Sequence, residues 1–276
     1  MKILVTGGNG FLASNIRKKL VENAYDVISI NRQILDLTDT LQCSEFFKNK
    51  YFDFVIHCAI LGGKRLIPDP ISIVNDNIRM ASNLLLNKKS FGQLIHFGSG
   101  AELDRSNDID ENSDYNLCLP QDYYGFSKNI ICRLFSNENN FHNLRIFNVF
   151  NSNESEGRMI STNIKNYLDK KPIVINQDKY MDFMFFDDFY EILSKYIENE
   201  IHYKEIDCVY ENKMKLSDVA NMINNLDSYK VQIKIEKHEL GKSYCGKFIY
   251  NSNNFIGLQD GIKKVYLDIK NEKFIN

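Results

Sequence analysis

Two hydrophobic periods alternate along the first half of this chain. Short apolar runs of strand length occupy residues 2–6, 26–30, 52–57, 93–97 and 143–147. Apolar residues at helical spacing fill Phe11–Glu22, and a second helical pattern runs from about Ile71 to Leu86. Strands that alternate with helices predict βαβ units, a parallel sheet and right-handed crossovers.

The pattern changes after about Asn151, where the polar loop NSNESEGR begins. Helical patterns follow at Met159–Leu168 and Leu216–Asn225, and the signals beyond them are weak. We therefore predict an α/β fold with a doubly wound parallel sheet in residues 1–150, to which part of 182–205 returns. Residues 151–276 are expected to form mainly a smaller C-terminal lobe.

Composition allows a large buried core, because 43% of the 276 residues are hydrophobic and 25% are charged. The net charge of −2 predicts neither a nucleic-acid partner nor a membrane surface. No apolar run reaches the ~18 residues of a membrane span, and the N-terminal run is too short for a signal peptide. The six cysteines and five histidines are scattered, so we expect reduced thiols, no metal site and a cytoplasmic protein.

The segment KILVTGGNGFLAS places Gly7, Gly8 and Gly10 directly after a strand and directly before a helix. Gly7 would permit a tight turn, Gly10 would let the backbone approach a pyrophosphate, and Ala13 would let the helix pack on the strand. Free N–H groups and the dipole at a helix N-terminus attract phosphate. The segment therefore predicts a Rossmann-type dinucleotide site. The alternative is a glycine-rich turn that only connects two elements.

The end of the second strand distinguishes the two nicotinamide cofactors. Sites for NAD usually carry an acidic residue there, which bonds the ribose 2′-hydroxyl. This strand ends SINRQ, so Asn31 and Arg32 stand at that place. Because an arginine pairs with a 2′-phosphate and lacks the repulsion of an acid, we expect NADPH. The alternative is a surface arginine beside a site that still takes NAD.

Eight segments carry a family resemblance over the N-terminal two thirds of the chain. They are, in order, TGGNGFLAS, NRQILDLTD, HCAILGG, NDNIRMASNLL, HFGSGAEL, YGFSK, RIFNVF and DFMFFDD. The sequence resembles the extended short-chain dehydrogenase/reductase family, which contains nucleotide-sugar epimerases, dehydratases and reductases. Within it, the chain is most similar to GDP-L-fucose synthase-like enzymes. The resemblance implies a nucleotide-diphosphate sugar as substrate and, by analogy, a homodimer.

The resemblance gives three residues catalytic roles. Tyr124 would be the acid or base at the reacting oxygen. Lys128, one helical turn further on the same face, would hold the nicotinamide ribose and lower the tyrosine pKa toward neutral pH. Ser99 would hydrogen-bond the substrate carbonyl. The alternatives are a solvated helix face for the tyrosine and lysine and a turn serine for Ser99.

The same resemblance implies contacts around the cofactor and the substrate. The predicted cofactor residues are Gly7, Gly10, Phe11, Leu12, Asn31, Arg32, Asp36, Leu37, Ala59, Asn77, Tyr124 and Lys128. The predicted substrate residues are Gly63, Lys64, Ser99, Gly100, Ala101, Asn148, Arg158 and Lys179. As alternatives, Asn77 would be a cap or turn residue, and Lys64 would be a solvated side chain.

Two departures from the fucose synthases change the expected reaction. Those enzymes also epimerise two carbons beside the ketone, with a Cys and a His as proton carriers. The place of the cysteine is Ala101, and the region of the histidine holds Arg158 and Met159. Removing both proton carriers leaves hydride transfer intact. In the fucose synthases an arginine stands directly before the Asp-Phe pair. In this chain Met181 stands there, with Lys179 two residues earlier, so we expect the contacts to the nucleotide to differ.

We therefore predict an NADPH-dependent reductase of the C4 ketone of a nucleotide-linked 4-keto-6-deoxy sugar, a hexose or a heptose. The resemblance places it in bacterial capsule or lipopolysaccharide biosynthesis. The first alternative is an epimerase or dehydratase with tightly bound NAD, although Glu102 and Asp104 are not the adjacent Asp-Glu pair of a 4,6-dehydratase. The second alternative is a non-catalytic dinucleotide-binding protein, which the Tyr124–Lys128 pair disfavours.

Overall fold

The apolar runs of the first half form the strands of one sheet, and the helical patterns form helices between them. The computed structural model describes residues 1–63 and 67–275. The strands are β1 (Lys2–Thr6), β2 (Asp26–Ile30), β3 (Phe52–His57), β4 (Phe91–Ser99), β5 (Phe141–Ile146), β6 (Val149–Phe150), β7 (Ile173–Gln177), β8 (Met184–Phe185), β9 (Glu205–Cys208) and β10 (Ile233–Lys237). The helices are α1 (Phe11–Glu22), α2 (Thr40–Phe47), α3 (Ser72–Leu86), α4 (Tyr123–Ser136), α5 (Met159–Leu168), α6 (Phe186–Ile197), α7 (Leu216–Asn224) and α8 (Leu258–Ile275).

Six strands form the main sheet in the order β2-β1-β3-β4-β5-β9. The strand β1 pairs in parallel with β2 and with β3, and β3 pairs in parallel with β4. The strand order reverses between β1 and β3, which is the switch point of a doubly wound sheet and the usual place for a ligand at the carboxyl ends of the strands. The predicted α/β, Rossmann-type fold is confirmed.

The described chain forms two compact units. The first unit contains Met1–Ser106, Asp114–Arg145 and Asn199–Ile206. The second unit contains Asn107–Ser113, Ile146–Glu198 and Asp207–Asn276. The assignment of one part of the chain to the cofactor and the other to the substrate stays a prediction.

A row of phenylalanine rings holds the core of the first unit together. The ring of Phe91 in β4 lies 6.2 Å from that of Phe47 in α2 and 5.8 Å from that of Phe141 in β5, measured between centroids. Phe135 in α4 packs edge-on against Phe141 at 4.9 Å. Leu84 of α3 belongs to the same buried cluster. These contacts fix α3 and α4 against the sheet, and both helices carry predicted site residues.

The second unit contains two small parallel strand pairs, β7 with β10 and β6 with β8. The rings of Tyr167 and Tyr229 are stacked at 4.5 Å, and each hydroxyl donates to the backbone carbonyl of the other residue. The 18-residue helix α8 follows a segment whose N–H groups at Ile256 and Gly257 donate to the buried Asp188 carboxylate. The sequence pattern had given only weak signals here.

Leu84 and Leu86 provide a matched pair on α3 that tests this core. Leu84 is fully buried, whereas Leu86 is 71% exposed. Leu84→Ala is expected to lower the free energy of unfolding by about 2–5 kcal/mol, because it removes buried methyl groups and leaves a cavity. Leu86→Ala, with the same change in helix propensity, is expected to shift it by less than about 0.5 kcal/mol. Urea denaturation measures both, and equal losses would contradict the described packing.

Candidate active site

The glycine turn after β1 has a shape that only glycine allows at its first position. Gly7 has a φ of +69°, and a Cβ there would lie 2.8 Å from the backbone nitrogen of Ala59. The N–H of Gly10 closes the turn by donating to the Gly7 carbonyl at 2.8 Å. Gly10 is also the N-cap of α1, and because glycine has no side chain, it leaves the first N–H groups of the helix uncapped. This arrangement directs the first N–H groups of α1 to a place where a phosphate fits.

The predicted cofactor residues Phe11 and Leu12 form the first turn of α1, and both are half-buried. Their backbone N–H groups belong to the helix N-terminus that the glycine turn exposes. The glycine turn, the backbone of Ala59 and the start of α1 therefore lie together in the first unit. A Cβ at Gly7 would collide with the Ala59 backbone, whereas a Cβ at Gly10 would meet only the Gly7 carbonyl at 3.2 Å. The space before α1 is therefore open to its first N–H groups and fits a dinucleotide phosphate.

The loop after β2 presents Arg32 next to an acidic residue. The Nε of Arg32 donates to Asp36 at 3.0 Å, and the arginine side chain is 69% exposed. Partial burial raises the pKa of Asp36, but hydrogen bonds from Thr38 and the Arg32 guanidinium lower it overall. Asn31 shapes the loop by accepting two backbone N–H bonds. Leu37 is buried in the core. The guanidinium is thus oriented by a carboxylate at the edge of the loop.

Ser99 lies at the carboxyl end of β4 and begins a short 3-10 turn, Gly100–Leu103. Its hydroxyl oxygen accepts the N–H of Ala101 at 3.2 Å, and its own N–H donates to Glu102 at 2.8 Å. Gly100 and Ala101 are buried in the same turn. Because the hydroxyl oxygen is already an acceptor, its hydrogen remains to be donated elsewhere.

Tyr124 and Lys128 lie one turn apart at the start of α4, whose N-cap is Asp122. The Nζ of Lys128 lies 6.0 Å from the centre of the Tyr124 ring and donates to the carbonyl of Phe97. Lys128 is 3% exposed, whereas the preceding Tyr123 is 43% exposed. The spacing therefore does place the tyrosine and the lysine on one face of the helix.

Burial dominates the electrostatics around Lys128. Burial lowers the pKa of Lys128 to about 8, and the Glu102 carboxylate opposes this shift. Two histidines lie side by side on neighbouring strands, His57 on β3 and His96 on β4, with ring centroids 5.4 Å apart. Burial, with a smaller contribution from Lys128, lowers the pKa of His57 to about 3 and that of His96 well below its usual value. Both imidazoles are therefore neutral at physiological pH.

The loop after β3 packs against the catalytic candidate Tyr124. Gly63 has a φ of +73°, and a Cβ there would lie 2.9 Å from the Tyr124 ring. The N–H of Gly63 donates to both carboxylate oxygens of Asp69. Asn77 is fully buried, and its amide bonds the backbone of Leu61 and the Ser127 hydroxyl. Asn77 thus ties the loop to α4.

The remaining predicted substrate residues lie in the second unit, except Lys64, which lies outside the described residues. The amide of Asn148 donates to the carbonyl of Asp182 at 2.9 Å. Arg158 is the N-cap of α5. The Nζ of Lys179 lies 5.9 Å from the centre of the Tyr244 ring. Their contacts with substrate stay predictions.

Sequence analysis missed a buried charge cluster beneath Ser99. The fully buried Glu102 accepts the Nε of Arg145 at 3.0 Å, and Arg145 also pairs with Glu205 at 2.9 Å. Glu102 had been considered only as a possible acid of a dehydratase. Its position next to the predicted catalytic serine was the one available signal, because periodicity does not identify buried charges.

Within residues 1–63 and 67–275, no group of three or more His, Cys, Asp or Glu side chains could hold a metal ion. No helix in the same part of the chain is long and apolar enough to cross a membrane.

Gly7→Ala tests the glycine turn, and Gly257→Ala is its matched control. Both glycines have positive φ, but a Cβ at Gly257 would meet no atom within 4 Å. Each change costs about 1–2 kcal/mol of backbone strain, and only Gly7→Ala also collides with the backbone of Ala59. We expect Gly7→Ala to weaken dinucleotide binding at least tenfold and Gly257→Ala to leave it within twofold. Fluorescence titration with NADPH measures both, and equal affinities would contradict the assigned phosphate cradle.

Residues 3–208 match the family profile described as the NAD dependent epimerase/dehydratase family. The chain is 32% identical to GDP-L-colitose synthase of Yersinia pseudotuberculosis, over 36% of this chain and 33% of that protein. It is 29% identical to GDP-6-deoxy-D-talose 4-dehydrogenase of Aggregatibacter actinomycetemcomitans, over 72% of each chain. The alignment thus spans about a third of the first relative and nearly three quarters of the second.

Solved structures share the fold over nearly the whole chain. One is the GDP-mannoheptose C4 reductase from Campylobacter jejuni with NADP bound, with a TM-score of 0.76, 18% identity and 98% of each chain covered. Another is UDP-glucuronic acid 4-epimerase from Bacillus cereus in complex with UDP-glucuronic acid and NAD, with a TM-score of 0.76, 22% identity and coverage of 99% and 100%. At these identities the likeness shows the fold alone. The profile match over residues 3–208 confirms the resemblance found in the sequence, and the chain belongs to the NAD dependent epimerase/dehydratase family.

Proposed function

We propose that this protein is an NADPH-dependent reductase of the C4 ketone of a nucleotide-linked 4-keto-6-deoxy sugar, a hexose or a heptose. The observation that carries the proposal is the placement of Tyr124 and the buried Lys128 on one helix face, in the unit that also holds Ser99 and the glycine turn. The relative named as a GDP-6-deoxy-D-talose 4-dehydrogenase supports a reaction at C4 of a GDP-sugar. A place in bacterial surface polysaccharide biosynthesis, a cytoplasmic location and a homodimer are part of the proposal.

Three side chains act in the proposed reduction. NADPH, when bound, supplies the hydride that C4 accepts. Ser99 donates its free hydroxyl hydrogen to the ketone oxygen and orients it. Tyr124 gives its phenolic proton to the oxygen as negative charge develops there. The Lys128 ammonium holds the nicotinamide ribose and stabilises negative charge on the phenol oxygen.

The turn after Ser99 supports reduction without epimerisation at C3 or C5. Ala101 occupies the place of the fucose synthase cysteine and is 1% exposed. A methyl group neither removes nor returns a proton at the carbons beside the ketone. The sugar would therefore keep its configuration at C3 and C5.

The cofactor choice rests on Arg32. Its guanidinium is exposed and oriented by Asp36, so it is placed to form charge-assisted hydrogen bonds with a 2′-phosphate. The alternative is tightly held NAD in an epimerase, which Asp36 would favour if its carboxylate bonded the ribose hydroxyls instead. Residues of the first unit would hold NADPH, and residues of the second, including Asn148, Arg158 and Lys179, would contribute to the sugar site.

The direct test incubates the protein with NADPH and a panel of GDP-, dTDP-, CDP- and UDP-4-keto-6-deoxy sugars. Stoichiometric loss of NADPH absorbance with one or more of them is expected. In the same assay, Tyr124→Phe should lower kcat by about 10²–10⁴-fold, since it removes the proton donor. Its affinity for NADPH should stay within twofold. The control Tyr123→Phe changes an exposed neighbour and should retain wild-type turnover.

Two outcomes would contradict the proposed reduction. One is a protein that purifies with bound NAD and interconverts two nucleotide sugars without net NADPH consumption, which is epimerase behaviour. The other is full turnover in Tyr124→Phe, which would remove the assigned proton donor.

Arg32→Ala tests the cofactor preference. We expect the KM for NADPH to rise about 10–100-fold, because a hydrogen bond to a charged group contributes roughly 1.5–3 kcal/mol. The KM for NADH should stay within about twofold. Arg17→Ala removes an equal charge from the exposed face of α1 and should change neither value. A parallel rise in both KM values for Arg32→Ala, or no rise for NADPH, would contradict a contact between Arg32 and the 2′-phosphate.

A further inference from the structure

Glu102 is a fully buried acid directly beneath the predicted catalytic serine. One carboxylate oxygen accepts the backbone N–H of Ser99 at 2.8 Å. The other accepts the Arg145 Nε at 3.0 Å and the Asn143 amide at 3.1 Å. Each oxygen therefore has a defined partner, and the first partner is the backbone of the residue that orients the ketone.

The surrounding backbone is shaped to admit this carboxylate. A Cβ at Gly98 would lie 2.3 Å from the Glu102 carboxylate, so β4 passes it in direct contact. The Glu102 carbonyl accepts the amide of Asn129 on α4 at 2.9 Å. A Cβ at Gly125 would lie 2.6 Å from the Ala101 carbonyl, which shows how closely α4 approaches the same turn. The turn that carries Ser99 and the helix that carries Tyr124 and Lys128 are thus joined at Glu102.

Glu102 also provides charge balance. Its carboxylate lies against Gly98, next to the Phe97 carbonyl that accepts the Lys128 ammonium. Burial raises the pKa of Glu102 above its ordinary value overall, and the Arg145 guanidinium and the Ser99 N–H oppose that rise.

The other titratable groups that act on Lys128 are neutral. They are His57 on β3, His96 on β4, Cys58 after β3, and Cys132 on α4. Burial lowers the pKa of both histidines, so they are neutral at physiological pH. Burial also raises the pKa of both cysteine thiols far above neutral pH. The Arg145 guanidinium and the N–H donors of Ser99 and Asn143 on its oxygens favour the charged form of Glu102 as the partner of Lys128.

We propose that Glu102 is a positioning residue of the reductase: its carboxylate fixes the Ser99 backbone and supplies the negative charge that faces Lys128. This inference rests on the proposed function and adds to it a residue that touches neither cofactor nor substrate. Glu102 acts through Ser99, whose hydroxyl must point at the ketone, and through Lys128, which must stay protonated to hold the ribose and assist Tyr124.

The test compares Glu102→Gln with Glu205→Gln. Both changes remove one carboxylate from Arg145, but only Glu102 contacts Ser99 and acts on Lys128. The pKa of Lys128 is followed by NMR in protein labelled with ¹³C at lysine Cε, with Lys128→Arg identifying the signal. We expect Glu102→Gln to lower this pKa by about one unit or more, since it removes an opposing charge from a buried ammonium. Glu205→Gln should change it by less than half as much.

Kinetics with NADPH and an accepted sugar give the second comparison. Lys128 is protonated below its folded pKa, so lowering that pKa moves the alkaline loss of kcat to lower pH. For Glu102→Gln we expect this shift together with a fall in kcat of at least tenfold at pH 8. The KM for the sugar should change less than threefold. A purely structural role would instead change stability and leave the pH profile in place.

Glu102→Asp tests the position of the carboxylate separately from its charge. It also provides the test if Glu102→Gln does not fold. It keeps the charge but shortens the side chain, so the Lys128 pKa should stay near that of the wild type while kcat falls. An unchanged Lys128 pKa in Glu102→Gln, or an unchanged kcat in Glu102→Asp, would overturn the proposal. If the wild type reduces no sugar in the panel, the proposed function fails, but the NMR comparison still decides whether Glu102 holds Lys128 charged.

Discussion

The burial of one ammonium group constrains the candidate site more than any other interaction. Lys128 is 3% exposed, and a buried charge is tolerated only when hydrogen bonds and an opposite charge compensate its lost hydration. The Phe97 carbonyl near the end of β4 accepts its hydrogen bond, and the Glu102 carboxylate, which lies against the neighbouring Gly98, opposes the fall in its pKa. Because the Phe97 carbonyl and Glu102 lie at the carboxyl end of β4, the start of α4 is fixed there, and Tyr124 with it.

Three glycines also hold the candidate site in a fixed geometry, because each stands where the backbone passes very close to another group. Gly7 lets the first turn touch the backbone of Ala59, Gly63 lets the loop after β3 lie on the Tyr124 ring, and Gly98 lets β4 pass the Glu102 carboxylate. A methyl group in place of the glycine hydrogen would collide with the Ala59 backbone, the Tyr124 ring or the Glu102 carboxylate, respectively. Rigid contacts of this kind hold reacting groups in one geometry before substrate binds. The same first unit thus holds both the proposed phosphate cradle and Tyr124, the proposed proton donor.

Much of the fold followed from sequence, and less of the site did. The bounds of α1 and α5 and the parallel sheet were predicted because their apolar spacing is regular. The helix α8 has a weak helical pattern in the sequence because Gly261 interrupts it. In the folded chain this glycine is needed for packing, since a Cβ there would lie 2.8 Å from the Phe185 side chain. The four-residue spacing of Tyr124 and Lys128 predicted that both lie on one face of a helix, as they do on α4. The role of Glu102 could not be predicted, since its partners Arg145 and Ser99 meet it only in the folded chain.

In the proposed reaction a hydride passes from NADPH to C4 of a nucleotide-linked sugar, while C3 and C5 keep their protons. The most direct measurement uses NADPH carrying deuterium at the transferable position of its nicotinamide, followed by mass spectrometry and NMR of the sugar product. We predict one deuterium at C4 per NADPH consumed, and in a parallel reaction in heavy water no deuterium bound to C3 or C5. Deuterium absent from C4, or solvent deuterium at C3 or C5, would contradict the claim.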